Sequence, residues 1–158
     1  MSEAISVRRV RAEEIEGAAR LAGKLVRMHH ETDPSRFFLA ENVERGYAAW
    51  FRRALDGSRA VILVAVQAEA VVGYAYGAFE ERDWNLLLDE HGAIHDLYVE
   101  ESVRQQGVGR RLVEALIGEL EALGARRVVL STMVQNEAAQ RLFGACGFRP
   151  TLLEMTRG

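Results

Sequence analysis

The sequence predicts an α/β (α+β) fold in which a mixed, mostly antiparallel sheet carries helices on both faces. A continuous β-branched run at 60–66 and a strand pattern at 71–81 flank a short polar turn, which indicates an antiparallel pair. A strand pattern at 93–99 then leads through an amphipathic helix at 108–123 to another strand at 127–133. This strand-helix-strand crossover makes the predicted sheet mixed.

The remaining predicted elements are an alternating edge strand, two amphipathic helices, a shorter helix and a final strand, at 5–10, 13–29, 41–55, 137–145 and 148–155. Asp33 and Pro34 separate the first two helices, because the residue before a proline is disfavoured in the helical conformation. The complete predicted order is β-α-α-β-β-β-α-β-α-β.

Composition limits the classes of function. The 158 residues, 49% hydrophobic and 27% charged, predict one soluble domain over 1–158. Cys146 is the single cysteine, which excludes an intrachain disulfide, and residues 1–4 lack the features of a signal peptide. We therefore expect a cytoplasmic protein. The net charge of −3 and the absence of a long apolar run argue against nucleic acid and membrane as partners.

A glycine-containing loop joins the strand at 93–99 to the helix that follows it. The loop reads Arg104-Gln105-Gln106-Gly107-Val108-Gly109, and Arg110 and Arg111 come next. A helix start attracts anions, and glycines let a ligand approach the backbone amides, so the pattern suits a pyrophosphate. The alternative is that the glycines only shape a tight turn into the helix. Leu112 stands where a Rossmann fingerprint needs glycine, and no P-loop run occurs.

The loop resembles the acyl-CoA loop of the GNAT superfamily of N-acetyltransferases. The downstream segment from Asn136 through Phe143 to Gly147-Phe148 is similar to the family's pattern of asparagine, alanine, aromatic residue and terminal Gly-Phe. The resemblance implies a GNAT-like fold and transfer of an acetyl group from acetyl-CoA to a primary amine by direct attack in a ternary complex. A small-molecule acceptor, no metal and a homodimer are the further expectations.

The resemblance also implies which residues bind the cosubstrate. The pyrophosphate is expected on the backbone amides of Gln105, Gln106, Gly107, Val108, Gly109 and Arg110, with Arg104 beside them. The pantetheine arm is expected along Leu97, Tyr98 and Val99, near Asn136 and Phe143. Asn136 is also a good helix N-cap, so both roles stay open for it.

The candidate base is His95, which resembles a histidine of the arylalkylamine-acetylating members and would act through water. Ala93 stands where histone-type members carry a catalytic carboxylate. A period of two places Ala93, His95, Leu97 and Val99 on one strand face, opposite Ile94, Asp96 and Tyr98. A packed, hydrogen-bonded strand histidine is the alternative for His95, and we expect Asp96 to be structural.

The general acid is unassigned. Phe143 stands where many members have a tyrosine, and phenylalanine has no proton to donate. Cys146 is nearby, but a lone thiol more often packs in a core. His29 and His30 precede an acidic turn that we interpret as solvated and not as a metal site.

Two other functions stay open: a protein N-terminal or lysine acetyltransferase, and a CoA-binding regulatory module with weak or no activity. Peptide acceptors need an open groove, whereas the segment 84–88 is placed to cover a small pocket.

Overall fold

The computed structural model describes residues 3–158; Met1 and Ser2, part of the segment without signal features, lie outside the described residues. Five strands form one sheet in the order β1-β2-β3-β4-β5: Ser6–Arg9, Ala60–Gln67, Ala70–Glu80, His91–Val99 and Val128–Leu130. Four α-helices, α1 to α4, span Ile15–Thr32, Val43–Leu55, Val108–Ala122 and Glu137–Ala145. Strands β1 to β4 are antiparallel and β5 is parallel to β4, which confirms the mixed sheet.

Helices cover both faces of the sheet, as predicted. On one face α1 and α2 pack against Ile62, Val64, Tyr74 and Tyr76. On the other face α3 and α4 pack against a second set from the same strands, Val61, Leu63, Ala65, Ala75 and Ile94. Strand β2 is buried on both sides, which explains its uninterrupted apolar sequence.

Strand β4 contains a bulge at His95 that corrects the predicted faces. Asp96 pairs with Tyr76 and Ile94 pairs with Gly77, so His95 is the extra residue. His95 stacks on Tyr76 at 5.5 Å, and Asp96 accepts a hydrogen bond from Tyr74. The prediction that His95 shares a face with Leu97 and Val99 is therefore wrong. His95 lies with Asp96 on the α1/α2 side, whereas Leu97 and Val99 pack toward α3.

The bulge also explains why β5 is shorter than the predicted strand at 127–133. Its parallel pairing with β4 ends at Leu130 opposite Ile94, immediately before the extra residue. A bulge interrupts the ladder of hydrogen bonds, so the pairing stops there. Within residues 3–158, the part of β4 from 95 to 99 has no strand on its β5 side. The two strands therefore leave an opening between the faces of the sheet.

The predicted final strand at 148–155 does not form. Phe148 packs against Phe143, but residues 149–158 make no strand pairing. Leu152, Leu153 and Met155 are 71–85% exposed. A strand needs a neighbouring strand, and this segment has none among the described residues; its Glu154 pairs with Arg36. No helix among the described residues has the length and apolarity needed to cross a membrane.

Candidate acyl-CoA and acceptor site

The predicted loop residues lie together at the N-terminus of α3, where they form an amide loop (residues 105–110). Gln105 and Gly107 have φ angles of +65° and +76°, which turn the chain sharply into the helix. Within residues 3–158, the backbone N–H groups of the amide loop donate no hydrogen bond to the protein. Unpaired amides at the positive end of a helix dipole form an anion site.

The two glycines of the amide loop have different roles. A Cβ at Gly107 would meet nothing within 4 Å, but its positive φ strains any other residue. A Cβ at Gly109 would lie 3.2 Å from Cδ2 of Leu142 on α4. Gly107 therefore shapes the turn on an open surface, whereas Gly109 lets two helices approach closely.

The arginines beside the amide loop are held by protein partners. Arg104 donates from Nε to the carbonyl of Val99 at 2.8 Å, and its guanidinium lies 5.3 Å from the centre of the Tyr98 ring. Arg110 donates to Glu114 on the next helical turn, and Arg111 donates to the carbonyl of Ile5. An anion at the amide loop would therefore bind the backbone N–H groups directly, and the arginines would contribute mainly their charge.

A smaller cavity of about 80 Å³ lies in the opening between β4 and α4. Its walls include Leu97, Asn136 and Phe143. Asn136 caps α4, since its Oδ1 accepts the N–H of Ala139 at 3.0 Å. The Asn136 side-chain amide donates no hydrogen bond within the described residues, so capping leaves a donor free for a ligand. Phe143 is 8% exposed and forms an apolar wall.

A larger cavity of about 440 Å³ lies on the opposite face, under the connection between α1 and α2. Phe37, Phe38, Tyr47 and Trp50 line it, with His95 at one end. Its volume is that of a small-molecule site. The expected cover, residues 84–88, lines neither cavity, and Trp84 and Leu87 are 74% and 85% exposed. No sequence motif marks the connection at 36–42, which contributes a large part of this wall.

The two cavities share Leu25, His29, His95 and Asp96. His95 points Nε2 at Oε1 of Glu80, 2.5 Å away, and its side chain is 41% exposed. Glu80 also lies 3.4 Å from Nε2 of the buried His91. His95 is therefore an ionisable side chain that is held by a carboxylate beside solvent.

Asp96 belongs to the same junction, although the sequence suggested only a structural role. Its Oδ2 accepts a hydrogen bond from the buried Tyr74 hydroxyl at 3.1 Å. Burial raises the pKa of Asp96, and the Tyr74 hydroxyl, His95 and His29 offset part of that rise. Burial and the Asp96 charge together raise the pKa of Tyr47 to about 12, so this tyrosine stays protonated. The sequence feature that marks this residue is an aspartate on a central strand.

Two other candidates from the sequence, Cys146 and His30, lie away from the junction, whereas His29 belongs to it. Cys146 lines neither cavity, and burial, with the charge of Glu114, raises the pKa of its thiol. His29 and His30 bind separate backbone carbonyls, those of Leu25 and Phe37. No group of three or more His, Cys, Asp or Glu residues within 3–158 is arranged to hold a metal ion.

Known proteins share both the sequence pattern and the fold. L-amino acid N-acyltransferase MnaT of Escherichia coli (strain K12) is 33% identical over 103 residues, 63% of this chain and 56% of that protein. The uncharacterized N-acetyltransferase YobR of Bacillus subtilis (strain 168) is 33% identical over 64 residues, 40% of this chain and 26% of that protein. The chain thus spans about half or less of these relatives.

A solved structure of aminoglycoside N-acetyltransferase AAC(6')-Iy in complex with CoA superposes with a TM-score of 0.81. The alignment covers 100% of this chain and 96% of that one at 18% identity, which shows a common fold. The model of the Acetyltransferase (GNAT) family matches residues 25–148. This range is most of the chain and includes the residues that the two cavities share. The chain belongs to the GNAT acetyltransferase family.

Proposed function

We propose that this chain is an N-acetyltransferase that moves an acetyl group from acetyl-CoA to the primary amine of a small molecule, by direct attack in a ternary complex. The observation that supports this most is the junction of the two cavities at His95 and Asp96. One cavity lies between β4 and α4, and the other has the size of a small-molecule site.

The cosubstrate would bind through the predicted residues. The amide loop, with Arg104 beside it, is suited to the pyrophosphate because its N–H groups have no protein acceptor among residues 3–158. The unpaired side of β4 at Leu97, Tyr98 and Val99 is suited to the pantetheine arm, with Asn136 and Phe143 across the smaller cavity. Arg104 would release the Val99 carbonyl if the arm pairs there.

The chemistry needs a proton acceptor and an oxyanion donor. We propose that His95 takes the proton of the acceptor ammonium through water, with Glu80 stabilising the imidazolium. A backbone N–H near Val99 would stabilise the tetrahedral oxyanion. Phe143 has no proton to donate, so the leaving thiolate needs another source.

A small-molecule acceptor is supported by the bounded, aromatic larger cavity. The names of MnaT and AAC(6')-Iy refer to small amines, namely L-amino acids and aminoglycosides. We further propose one catalytic domain over 1–158, a cytoplasmic location and a homodimer. The exposed Leu152, Leu153 and Met155 support the homodimer, because monomers seldom leave neighbouring apolar side chains uncovered.

A CoA-binding regulatory module is the second candidate, and Phe143 favours it because the residue cannot act as an acid. A screen for free CoA release tests both, with aliphatic and aromatic amines, L-amino acids, aminoglycosides and lysine or N-terminal peptides as acceptors. Release with small amines alone supports the proposal, and release with peptides alone assigns a protein acetyltransferase. Acetyl-CoA binding without release from any acceptor assigns the regulatory module.

The role of His95 has its own test in the same assay. His95→Ala should lower turnover at least about tenfold, because a positioned base contributes that much or more. Its affinity for acetyl-CoA should stay the same, since the amide loop lies elsewhere. Equal activity of the variant and the wild type removes His95 from the mechanism.

A further inference from the structure

We propose that His29 is the missing acid: it takes the second proton from the acceptor nitrogen and passes it to the CoA thiolate. This inference rests on the proposed N-acetyltransferase function. It concerns a residue that the sequence places only at the end of the first helix, before an acidic turn. Three observations support it. His29 lines both cavities, its ring is held in one tautomer, and Phe143 has no hydroxyl that could donate a proton.

His29 lies in the last turns of α1 and lines both cavities. A group that moves a proton from nitrogen to sulfur must reach both reactants, so it must belong to the residues that the cavities share. Leu25 has no proton to move, and Asp96 accepts the Tyr74 hydroxyl. His95 is bound to Glu80 at its Nε2. His29 is the shared titratable side chain without a carboxylate partner at hydrogen-bond distance in the described residues.

The His29 ring is held in one tautomer. Its Nδ1 lies 2.8 Å from the backbone carbonyl of Leu25, which can only accept a hydrogen bond. Nδ1 therefore carries the proton, and the lone pair of the neutral ring is on Nε2. Phe37 contacts the ring edge to face, with centroids 4.9 Å apart. Since Nδ1 is occupied, protons enter and leave at Nε2 alone.

The charged and titratable groups that line the larger cavity with His29 are Asp96 and His95 on β4, Tyr47 on α2, and Arg36 and Glu41 on the α1–α2 connection. Arg36 is paired with Glu154, which reduces its repulsion of a protonated His29. The positive charge of His29 is one of the causes that lower the pKa of Asp96 against its burial. Two carboxylates, Asp96 and Glu41, therefore line the cavity together with His29.

With His95 and His29 in these roles, each proton of the acceptor nitrogen has a destination. The ammonium gives its first proton through water to His95 and solvent. The neutral amine attacks the thioester carbon, which forms the C–N bond and an oxyanion, and the nitrogen becomes positive. His29 Nε2 takes the nitrogen's proton. The oxyanion collapses, the C–S bond breaks, and the thiolate takes the proton from His29, which returns to its neutral form.

The test compares His29→Gln with His30→Gln in the CoA-release assay, with an acceptor found by the screen. Glutamine can still donate to the Leu25 carbonyl but cannot titrate. His30 is the matched control, because its Nδ1 also contacts a carbonyl at 2.8 Å and it lines neither cavity. We expect kcat of His29→Gln to fall about thirtyfold or more and its pH profile to lose one limb. Acetyl-CoA affinity and Tm should change little, and His30→Gln should match the wild type.

The contrary outcomes are distinct. An active wild type with a His29→Gln variant of similar kcat, or of lower kcat and unaltered pH profile, overturns the role of His29 alone. A folded wild type that releases no CoA from any acceptor overturns the proposed function and this inference together. If the variant does not fold, imidazole ¹⁵N NMR of the wild type decides. The Nδ1–H tautomer of neutral His29 supports the inference, and the Nε2–H tautomer overturns it.

Discussion

Two neighbouring residues of β4, His95 and Asp96, reach the same face of the sheet because of the bulge. Without the extra residue, one of them would point toward α3 and the junction of the cavities would lose a titratable group. Each then has a different partner: Glu80 for His95 and Tyr74 for Asp96. One backbone irregularity thus gathers the polar groups of the site.

Asp96 gives a pH-dependent prediction for stability. Burial raises its pKa above the unfolded value of about 3.9, so the folded state binds this proton more tightly. From this group alone, the free energy of unfolding falls as pH rises through the interval between the two values. Asp96→Asn keeps an acceptor for the Tyr74 hydroxyl and removes the charge. The Tm of the variant minus that of the wild type should therefore increase from pH 4 to pH 7 in thermal melts; a decrease would contradict the account.

Among single residues, the sequence predicted the amide loop but only part of the junction between the two cavities. Gly107, Gly109 and the arginines beside them are adjacent in sequence, so their grouping can be recognised without a structure. His29 and Asp96 are 67 positions apart, and the cavity that joins them depends on tertiary packing. The period-two pattern also gave the wrong face for His95, because a single inserted residue leaves no mark in composition.

At the scale of elements, α2 is fixed to the sheet by an aromatic cluster around Phe51. Phe51 is fully buried, and its ring centroid lies 5.5–5.9 Å from those of Tyr47, Tyr74 and Tyr76. The cluster forms the floor next to the larger cavity, since Tyr47 and Trp50 of the same helix line that cavity. Packing of this helix therefore supports the shape of the larger cavity.

Phe51→Ala should destabilise the protein by about 3–5 kcal/mol, because it leaves a cavity in a closed core. That loss corresponds to a Tm lower by roughly 10 °C for a domain of this length. Trp50→Ala is the control, since Trp50 is 40% exposed on the cavity wall, and it should cost less than half as much. Equal losses measured by calorimetric melts would show that the cluster does not hold α2 as described.

Most of the elements could be predicted from periodicity, and the exceptions share a cause. Helices α1 to α4 have apolar faces whose period is local, so their positions agree with the prediction. The extents of β5 and of the expected last strand depend on pairing with distant residues. For an apolar segment such as residues 151–155, the available neighbour decides whether a strand forms.

At the level of the whole molecule, the sheet separates two helical layers, and the opening between β4 and β5 joins their two sides. The amide loop and α4 lie on one side, and α1 and α2 enclose the larger cavity on the other. The mixed sheet and the two helical layers were predictable, because the crossover and the antiparallel pairs are visible in the sequence. The unpaired segment after Phe148 was not predictable, and the proposed homodimer rests on it.

If the exposed segment at 149–158 is covered by a second copy, the double variant Leu152→Asp and Met155→Asp should be monomeric where the wild type is a dimer. Charges at positions that are 77% and 85% exposed disturb no monomer core. Leu87→Asp, at an equally exposed site in another loop, is the control and should leave the dimer intact. Light scattering coupled to size exclusion measures the mass, and a monomeric wild type would refute the proposed homodimer.

The most direct test of the central claim is calorimetric titration of acetyl-CoA into the wild type, Gly107→Glu and Gly124→Glu. Both glycines have positive φ and open space at Cβ, so the two changes strain the backbone alike, but only Gly107 belongs to the amide loop. We predict binding by the wild type and Gly124→Glu with Kd of about 10 μM or tighter, and a loss of at least about thirtyfold in Gly107→Glu. A folded wild type that does not bind, or a Gly107→Glu variant that binds equally well, would contradict the account.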